Sequence, residues 1–441
     1  MKTISKDGTQ ITVCEGIELN DAVPSVVKNI PNPVIKFNGV NGTGKPDSFG
    51  MNAKLLSQHL MLVGGIGSGK TNTFNQILQA LIPNMTSSDV MIIFDTKGDF
   101  YKEFYQPGDV VISNDATARG PNGVDYWNIL NEIEDDAHLE ENIIEISKAI
   151  FADKLENSSN IFFPAAAKDI FGATLYHFIK KRNAMNSSNE TIAEFFNEAG
   201  IGVVNALLKS YSRFRAMQSY VSPAAPEQAL GVLAELQQTI RELFVGNFAK
   251  KGTLSLRQLV REKRKRKIFI EYDIGVGGML SPIYSLMFDL AIKEALCRNK
   301  SEGNVYFVVD EFKLLPNLHH LDDAVNFGRS LGIKFMIGIQ NVDQIKEAYG
   351  EDGAMNLFSG FTNHFAFKVG DHSTREYIKL RAGSNRKKTV YRTTEVKESI
   401  ETANVVEDWD VASLQLGTAI VMLNNCEPFL FRFEEFKGKR G

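Results

Sequence analysis

The chain has 441 residues, 43% of them hydrophobic and 23% charged, with a net charge of −4. That length predicts two domains or one large domain with an insertion, and the balance is that of a soluble globular protein, not a disordered or fibrous one. No run reaches the roughly 18–20 apolar residues that span a bilayer; Met1–Asp7 opens no signal peptide, and Cys14, Cys297 and Cys426 suit neither a metal site nor a disulfide framework, as expected in a reducing cytoplasm.

In chain order, the first 50 residues alternate short β-like stretches, Gln10–Cys14 and Pro33–Val40, with turns at Asn38-Gly39 and Asn41-Gly42-Thr43-Gly44. His59–Val63 reads as a short buried strand. A glycine-rich turn follows, then a helix from Lys70 to Leu81 that Pro83 stops. Val90–Phe94 and Val110–Ile112 are further buried strands. Short apolar strands separated by helix-length segments predict an α/β fold, with a mostly parallel sheet and helices on both faces. From Pro164 to Glu262 helical periodicity takes over. Phe171, Leu175, Phe178 and Ile179 share one face, Ile201, Val204, Leu207 and Leu208 a second, and Leu230, Leu233, Leu236, Gln237 and Ile240 a third. Strands resume at Ile268–Ile270, Val305–Val309 and Phe335–Ile339, with a helix over Pro282–Cys297. Lys388–Thr394, Thr418–Leu423 and Phe429–Phe433 read as a small β-rich C-terminal addition.

Charge is spread unevenly. Lys180–Lys267 carries 16 Lys and Arg against 7 Asp and Glu, a balance of +9 that leaves −13 for the remainder. Such a segment is the footprint of a polyanion partner. Seven of those cations sit in Arg257–Lys267, for which a solvated helix end is the plainer reading.

Gly64-Gly65-Ile66-Gly67-Ser68-Gly69-Lys70-Thr71 has the G-x-x-x-x-G-K-[ST] spacing, between a predicted strand and a predicted helix. Its glycines let backbone N–H groups wrap phosphates, and the helix N-terminus adds a positive dipole end. Lys70 is expected to neutralise β- and γ-phosphate charge, and the Thr71 hydroxyl to help hold Mg²⁺ with ATP. Val305–Val309 delivers Asp310 and Glu311 at a strand's carboxyl end, where ligands sit in open α/β sheets. Asp310 would support Mg²⁺ and Glu311 would polarise the attacking water; the plainer alternative is N-cap duty for the next helix. Gln340, ending the next strand, suits either a γ-phosphate contact or a helix cap. Asp95-Thr-Lys-Gly-Asp99 reads as a turn with Gly98 at positive φ, Arg329 as a solvated cation, and Gly275–Gly278 as a flexible turn or a channel loop. None of the seven histidines has ligand spacing with a cysteine or an acidic cluster, His319-His320 reads as a helix start, and no metal beyond Mg²⁺ is expected. The expected organisation is an N-terminal β segment and the first half of a nucleotide-binding domain over residues 1–163, an all-α insertion over 164–262, and the second half with the β addition over 263–441.

Taken in order, Gly64–Thr71, Ile93–Phe100, Val309–Phe312, Phe327–Ser330 and Gly338–Asn341 resemble the coupling-protein ATPases of type IV secretion and conjugation, within the wider FtsK/HerA-like group of ring-forming DNA pumps. Asp125–Leu130, Ser281–Leu290 and Gln344–Gly353 match in kind, so the resemblance covers most of His59 to Lys379. It implies a RecA-like P-loop fold and a homo-hexameric ring with ATP at subunit interfaces. It also implies a helical domain at the channel mouth and non-specific phosphate contacts to DNA. Arg329 matches the position that reaches the neighbour's nucleotide, and Gln340 the position that reports hydrolysis. Family members usually begin with transmembrane helices and carry a C-terminal tail that binds a relaxase or other DNA-processing protein; this chain shows neither pattern. A separate membrane or secretion-channel protein is then expected to dock it, at the inner face of the membrane, or it works in the cytoplasm alone. Two other readings stay open: an ATPase driving protein export, and an ATP-binding switch module.

Overall fold

The structure is a computed structural model that describes residues 4–6, 9–114, 125–181, 187–297, 302–392 and 396–438. Residues 1–3 and 7 of the N-terminal stretch, 182–186 of the basic segment and 393–394 of the expected strand Lys388–Thr394 lie outside them. The chain divides into two compact units, one of residues 1–86, 306–313 and 325–441, the other of residues 87–305 and 314–324.

The first unit is built on a sheet in the order Pro46–Asn52, Pro33–Asn41, Phe429–Phe433, Thr418–Met422, Asn363–Ala366, Leu60–Val63, Ile333–Ile339 and Val305–Val309, the last beginning one residue inside the other unit. Leu60–Val63 pairs in parallel with both of its neighbours. Beyond Asn363–Ala366 the pairings are antiparallel, so the two last strands of the chain join the main sheet. The run Phe-Leu-Phe-Arg-Phe433 explains why. Alternation at period two sends Phe429, Phe431 and Phe433 to one face, where they are buried with Phe37, Phe49 and Phe365. Ring centroids lie 4.9 Å apart for Phe49 and Phe431 and 5.5 Å apart for Phe365 and Phe433. Ser384–Arg392 and Val396–Asn404 instead form a second antiparallel sheet with Thr9–Gly16 and Ile4–Lys6. Asn38-Gly39, expected as a turn, lies inside a strand, because Gly39 pairs with Asp47 on one side and Phe433 on the other. The turn is at Asn41, whose side-chain oxygen accepts from the N–H groups of Thr43 and Lys45. The phosphate-loop helix runs Lys70–Asn84 and so passes Pro83 by one residue instead of stopping before it.

His59 precedes the strand that leads to the loop, with φ 58° and 1% of its surface exposed. Its Nδ1 accepts from Phe335 N–H at 3.0 Å, which leaves Nε2 to donate to Val325 O at 3.0 Å. The neutral imidazole therefore has one tautomer and ties three segments together. Burial, helped by Lys334 and Arg329, lowers its pKa to about 4. Burial likewise lowers His364 to about 3. Both folded values lie below the unfolded value near 6.5, so the stability they contribute is complete above that pH and is lost as pH falls toward 4 and 3. His59 contributes about 3 kcal/mol to that loss. Urea unfolding of His59→Gln should show the acid slope reduced by about one proton; an unchanged slope would remove His59 from this account.

In the second unit, Val90–Asp95, Arg266–Glu271 and Val110–Ser113 form parallel pairs, with Arg266–Glu271 in the centre. Asp95 ends its strand buried and accepts N–H groups of Asp99 and Tyr101 at 3.1 and 2.8 Å, with Gly98 at φ 66° completing the turn. Burial, with Glu271 and Asp99 nearby, raises the Asp95 pKa to about 6. The long helices are Leu139–Asn157, Phe162–Lys180, Pro226–Leu243 and Gly277–Leu296. The join expected at 163/164 falls inside Phe162–Lys180, since Pro164 occupies the first turn, where no intrahelical N–H is required. Phe171, Leu175, Phe178 and Ile179 are buried as their spacing predicts, whereas Leu230 is 58% exposed and Ala229 and Val232 take the core positions beside Leu233. Gly277 and Gly278 begin the helix Gly277–Leu296, so that stretch is a turn only as far as Val276.

The basic run Arg257–Lys267 is a solvated helix end only in part: Arg261, Arg264 and Lys265 are exposed, whereas Lys263 and Lys267 are buried. Glu132, buried, caps the helix Leu256–Glu262 by accepting from Leu256 and Arg257 N–H groups, Ser255 Oγ and Trp127 Nε1. Glu294, also buried, takes Arg257 and the forked guanidinium of Arg261. Six of the seven cations lie within 4 Å of a carboxylate, including the buried pair Lys267–Asp109 at 2.8 Å. Unpaired buried charge is costly, so the pairs of the little-exposed Arg257, Lys263 and Lys267 are structural. His320 is held in the same manner: its Nδ1 and backbone N–H reach the two oxygens of Asp289 at 2.9 Å, with Glu145 3.5 Å from Nε2. That cluster joins two helices and the turn before a third, distant in sequence, which is why residue spacing does not reveal it. Lys293 completes it by donating to Glu145.

Candidate functional site

The phosphate loop is shaped by its glycines. Gly67 and Gly69 have φ of 70° and 116°, and a Cβ on Gly64 would stand 2.5 Å from Ser68 Oγ and 2.7 Å from Phe367. Other residues resist such backbone torsions. Gly64 N–H donates to Ile339 O at 3.1 Å and Gly65 N–H to Lys368 O at 2.9 Å, which suspends the loop between two parallel strands. Lys70 is buried at the head of its helix, with Nζ on the carbonyls of Gly64 and Gly65. The Ser68 hydroxyl is buried without a hydrogen-bond partner among the described residues. An ammonium folded onto loop carbonyls and an orphaned hydroxyl suit a cradle for phosphate oxygens.

Asp310 and Glu311 arrive from the strand Val305–Val309 and meet the loop from different directions. Thr71 Oγ1 donates to Asp310 Oδ2 at 2.6 Å, and Gln340 Nε2 donates to Glu311 Oε2 at 2.6 Å. The other oxygen of Glu311, Oε1, is buried without a hydrogen-bond partner among the described residues. Burial raises the Glu311 pKa, against the Gln340 hydrogen bond and the charges of Lys70 and Lys313, with Asp310 adding to the rise. Gly338 makes the approach possible, because a Cβ there would lie 2.2 Å from Asp310 O and 3.1 Å from Phe74. Thus Gly64–Thr71, Asp310, Glu311 and Gln340 converge on one place, and Gln340 bonds to Glu311 instead of capping the helix Asp343–Gly360. A hydroxyl and a carboxylate in contact are hard oxygen donors of the kind Mg²⁺ takes. Arg329 does not join them. It lies exposed on the turn Gly328–Leu331, and among the described residues no hydrogen bond or ion pair links it to the loop.

Residues 48–434 match the model of the type IV secretion-system coupling protein DNA-binding domain. The chain belongs to that family. It is 22% identical over 340 residues to coupling protein TraD of Escherichia coli K12, covering 73% of this chain and 43% of TraD. It is 24% identical over 385 residues to the type IV secretion system-coupling protein VirD4 of Bartonella henselae, covering 81% of this chain and 58% of that protein. The chain thus spans about half the length of these relatives. Plasmid coupling protein TrwB, solved in complex with ADP and Mg²⁺, superposes with a TM-score of 0.75 at 17% identity, over 100% of this chain and 98% of that one. The fold is therefore the RecA-like P-loop fold, with a β-rich C-terminal region. Among the described residues no helix is long and apolar enough to cross a membrane.

One part of the site escapes the sequence motifs. Leu416, Gly417, Phe433 and Glu435 face the phosphate loop across a cavity of about 510 Å³. No motif marks them, and the pattern of Phe429–Phe433 signals a strand without saying which strand it joins.

Proposed function

We propose that this chain is the motor region of a coupling-protein ATPase, hydrolysing ATP to translocate DNA. The convergence of Thr71–Asp310 and Glu311–Gln340 on the phosphate loop supports hydrolysis, and membership of the family supports the cargo. Thr71 and Asp310 would hold Mg²⁺, which neutralises phosphate charge when bound. Lys70 leaves the carbonyls of Gly64 and Gly65 to contact the β- and γ-phosphates, and the Ser68 hydroxyl gains a partner there. Glu311 orients the attacking water and takes its proton at Oε1, while Gln340 fixes the carboxylate through Oε2. Arg329 acts in trans across the interface of a homo-hexamer. A membrane or secretion-channel protein would dock the ring at the inner face of the membrane, and a relaxase or other DNA-processing protein would deliver the strand.

Six of the seven cations of Arg257–Lys267 already have carboxylate partners, which argues against that run as the main DNA grip. The contacts are then weakly sequence-specific phosphate contacts made elsewhere, with affinity that falls steeply with salt. ATPase rates measured with and without single- and double-stranded DNA test the proposal. DNA should stimulate the wild type, and Lys70→Ala should abolish both basal and stimulated turnover. A high rate indifferent to either DNA would favour protein cargo. Turnover that survives Lys70→Ala would overturn the assignment of the site.

A further inference from the structure

The wall of the nucleotide cavity opposite the phosphate loop is fastened to that loop. Gly417 N–H donates to Ser68 O at 3.0 Å, and Phe433 N–H donates to Gly417 O at 2.9 Å. Asn72, the residue after Thr71, holds the next segment at two points. Its amide donates to Glu434 O at 2.8 Å and its side-chain oxygen accepts from Phe436 N–H at 2.6 Å. Gln76, one helical turn later, donates to Glu434 O as well. The wall therefore keeps a set position relative to the loop amides.

Two side chains on this wall are exposed. Leu416 is 74% exposed beside the loop, where an apolar side chain gains little from packing. Glu435 is an exposed carboxylate lining a cavity whose opposite side collects phosphate, and like charges there repel. A carboxylate is compatible with such a cavity where the ligand presents hydrogen-bond donors instead of negative charge. A nucleotide has both missing complements: a flat apolar base and a pair of ribose hydroxyls. Carboxylates take ribose hydroxyls in other nucleotide sites for the same reason.

Building on the ATP reading above, we propose that Leu416 carries the base and Glu435 accepts hydrogen bonds from the ribose hydroxyls. The turn at Leu416–Gly417 and the segment Phe433–Phe436 then form the base-and-ribose subsite, and Asn72 positions it. This subsite makes the chain select a nucleoside triphosphate over bare polyphosphate, a selection the phosphate loop alone does not supply.

Calorimetric titration of the full chain with Mg²⁺ and either ATP, 2′,3′-dideoxyATP or inorganic tripolyphosphate tests this. Leu416→Ala should weaken ATP about tenfold, the usual value of one buried apolar contact, and leave tripolyphosphate unchanged. Glu435→Ala should erase the wild-type preference for ATP over the dideoxy analogue, again without weakening tripolyphosphate. Both side chains are exposed, so neither change threatens folding. Equal losses for ATP and tripolyphosphate would show that the residues act through the loop and would overturn the subsite. Unchanged ATP affinity in both variants would overturn it too. A wild type that binds neither ATP nor tripolyphosphate would overturn the ATP reading itself, a distinct failure.

Discussion

Replacing Glu311 with glutamine is expected to lower kcat for ATP about 10²–10⁴-fold while leaving ATP binding near wild type, because the change removes a base and keeps its shape. The amide can still accept from Gln340 through one oxygen, so the position of the side chain survives. What disappears is the proton acceptor at Oε1, the buried oxygen that has no hydrogen-bond partner among the described residues. Burial also raises the Glu311 pKa, which places its protonation above the ordinary glutamate range. As pH falls through that raised value the base is lost, so the rate of the wild type should decline on the acid side before a free glutamate would titrate. The Gln variant should show no such decline in its residual rate. Single-turnover ATPase across pH measures both effects, and a Gln variant with wild-type turnover would end the assignment of Glu311.

Arg329→Ala is expected to reduce turnover on the order of 10³-fold, the lower range for an arginine that stabilises charge on a transferring phosphoryl group from a neighbouring subunit. Arg329 is exposed on the short turn Gly328–Leu331, and among the described residues it bonds to none of Lys70, Thr71, Asp310, Glu311 or Gln340. A role in hydrolysis must therefore be exerted on another copy. Mixing decides the matter. Arg329→Ala subunits keep an intact phosphate loop, and Lys70→Ala subunits keep the arginine. At a mixed interface the two complete one site, so activity should rise above that of either variant alone and peak near equal amounts. No recovery at any ratio would leave Arg329 as the solvated cation that its exposure also allows.

What was legible in the sequence is what local chain chemistry decides. The phosphate loop is a run of glycines between an apolar strand and a helix, and its shape depends on backbone torsions of residues next to one another. Asp310 and Glu311 end an apolar strand for a similarly local reason. The family resemblance rested on the order of such local motifs, and the match over residues 48–434 agrees with it. Helix and strand positions followed from periodicity, with errors where a tertiary neighbour overrode it: Gly39 became a paired strand residue, and Leu230 yielded its core place to Ala229 and Val232.

Tertiary structure alone decided the pairings, because electrostatic and hydrogen-bond partners are chosen by distance in space. Thr71 meets Asp310 across 239 residues of chain, and Arg257 meets Glu132 across 125. The charge balance of Lys180–Lys267 was correct as a count and incomplete as a surface, since three carboxylates that pair with its densest part, Asp109, Glu294 and Glu302, lie outside the segment. The last strands of the chain looked like an addition at its end. Their buried phenylalanines draw them into the main sheet, which places Leu416 and Glu435 opposite a phosphate loop formed near residue 70.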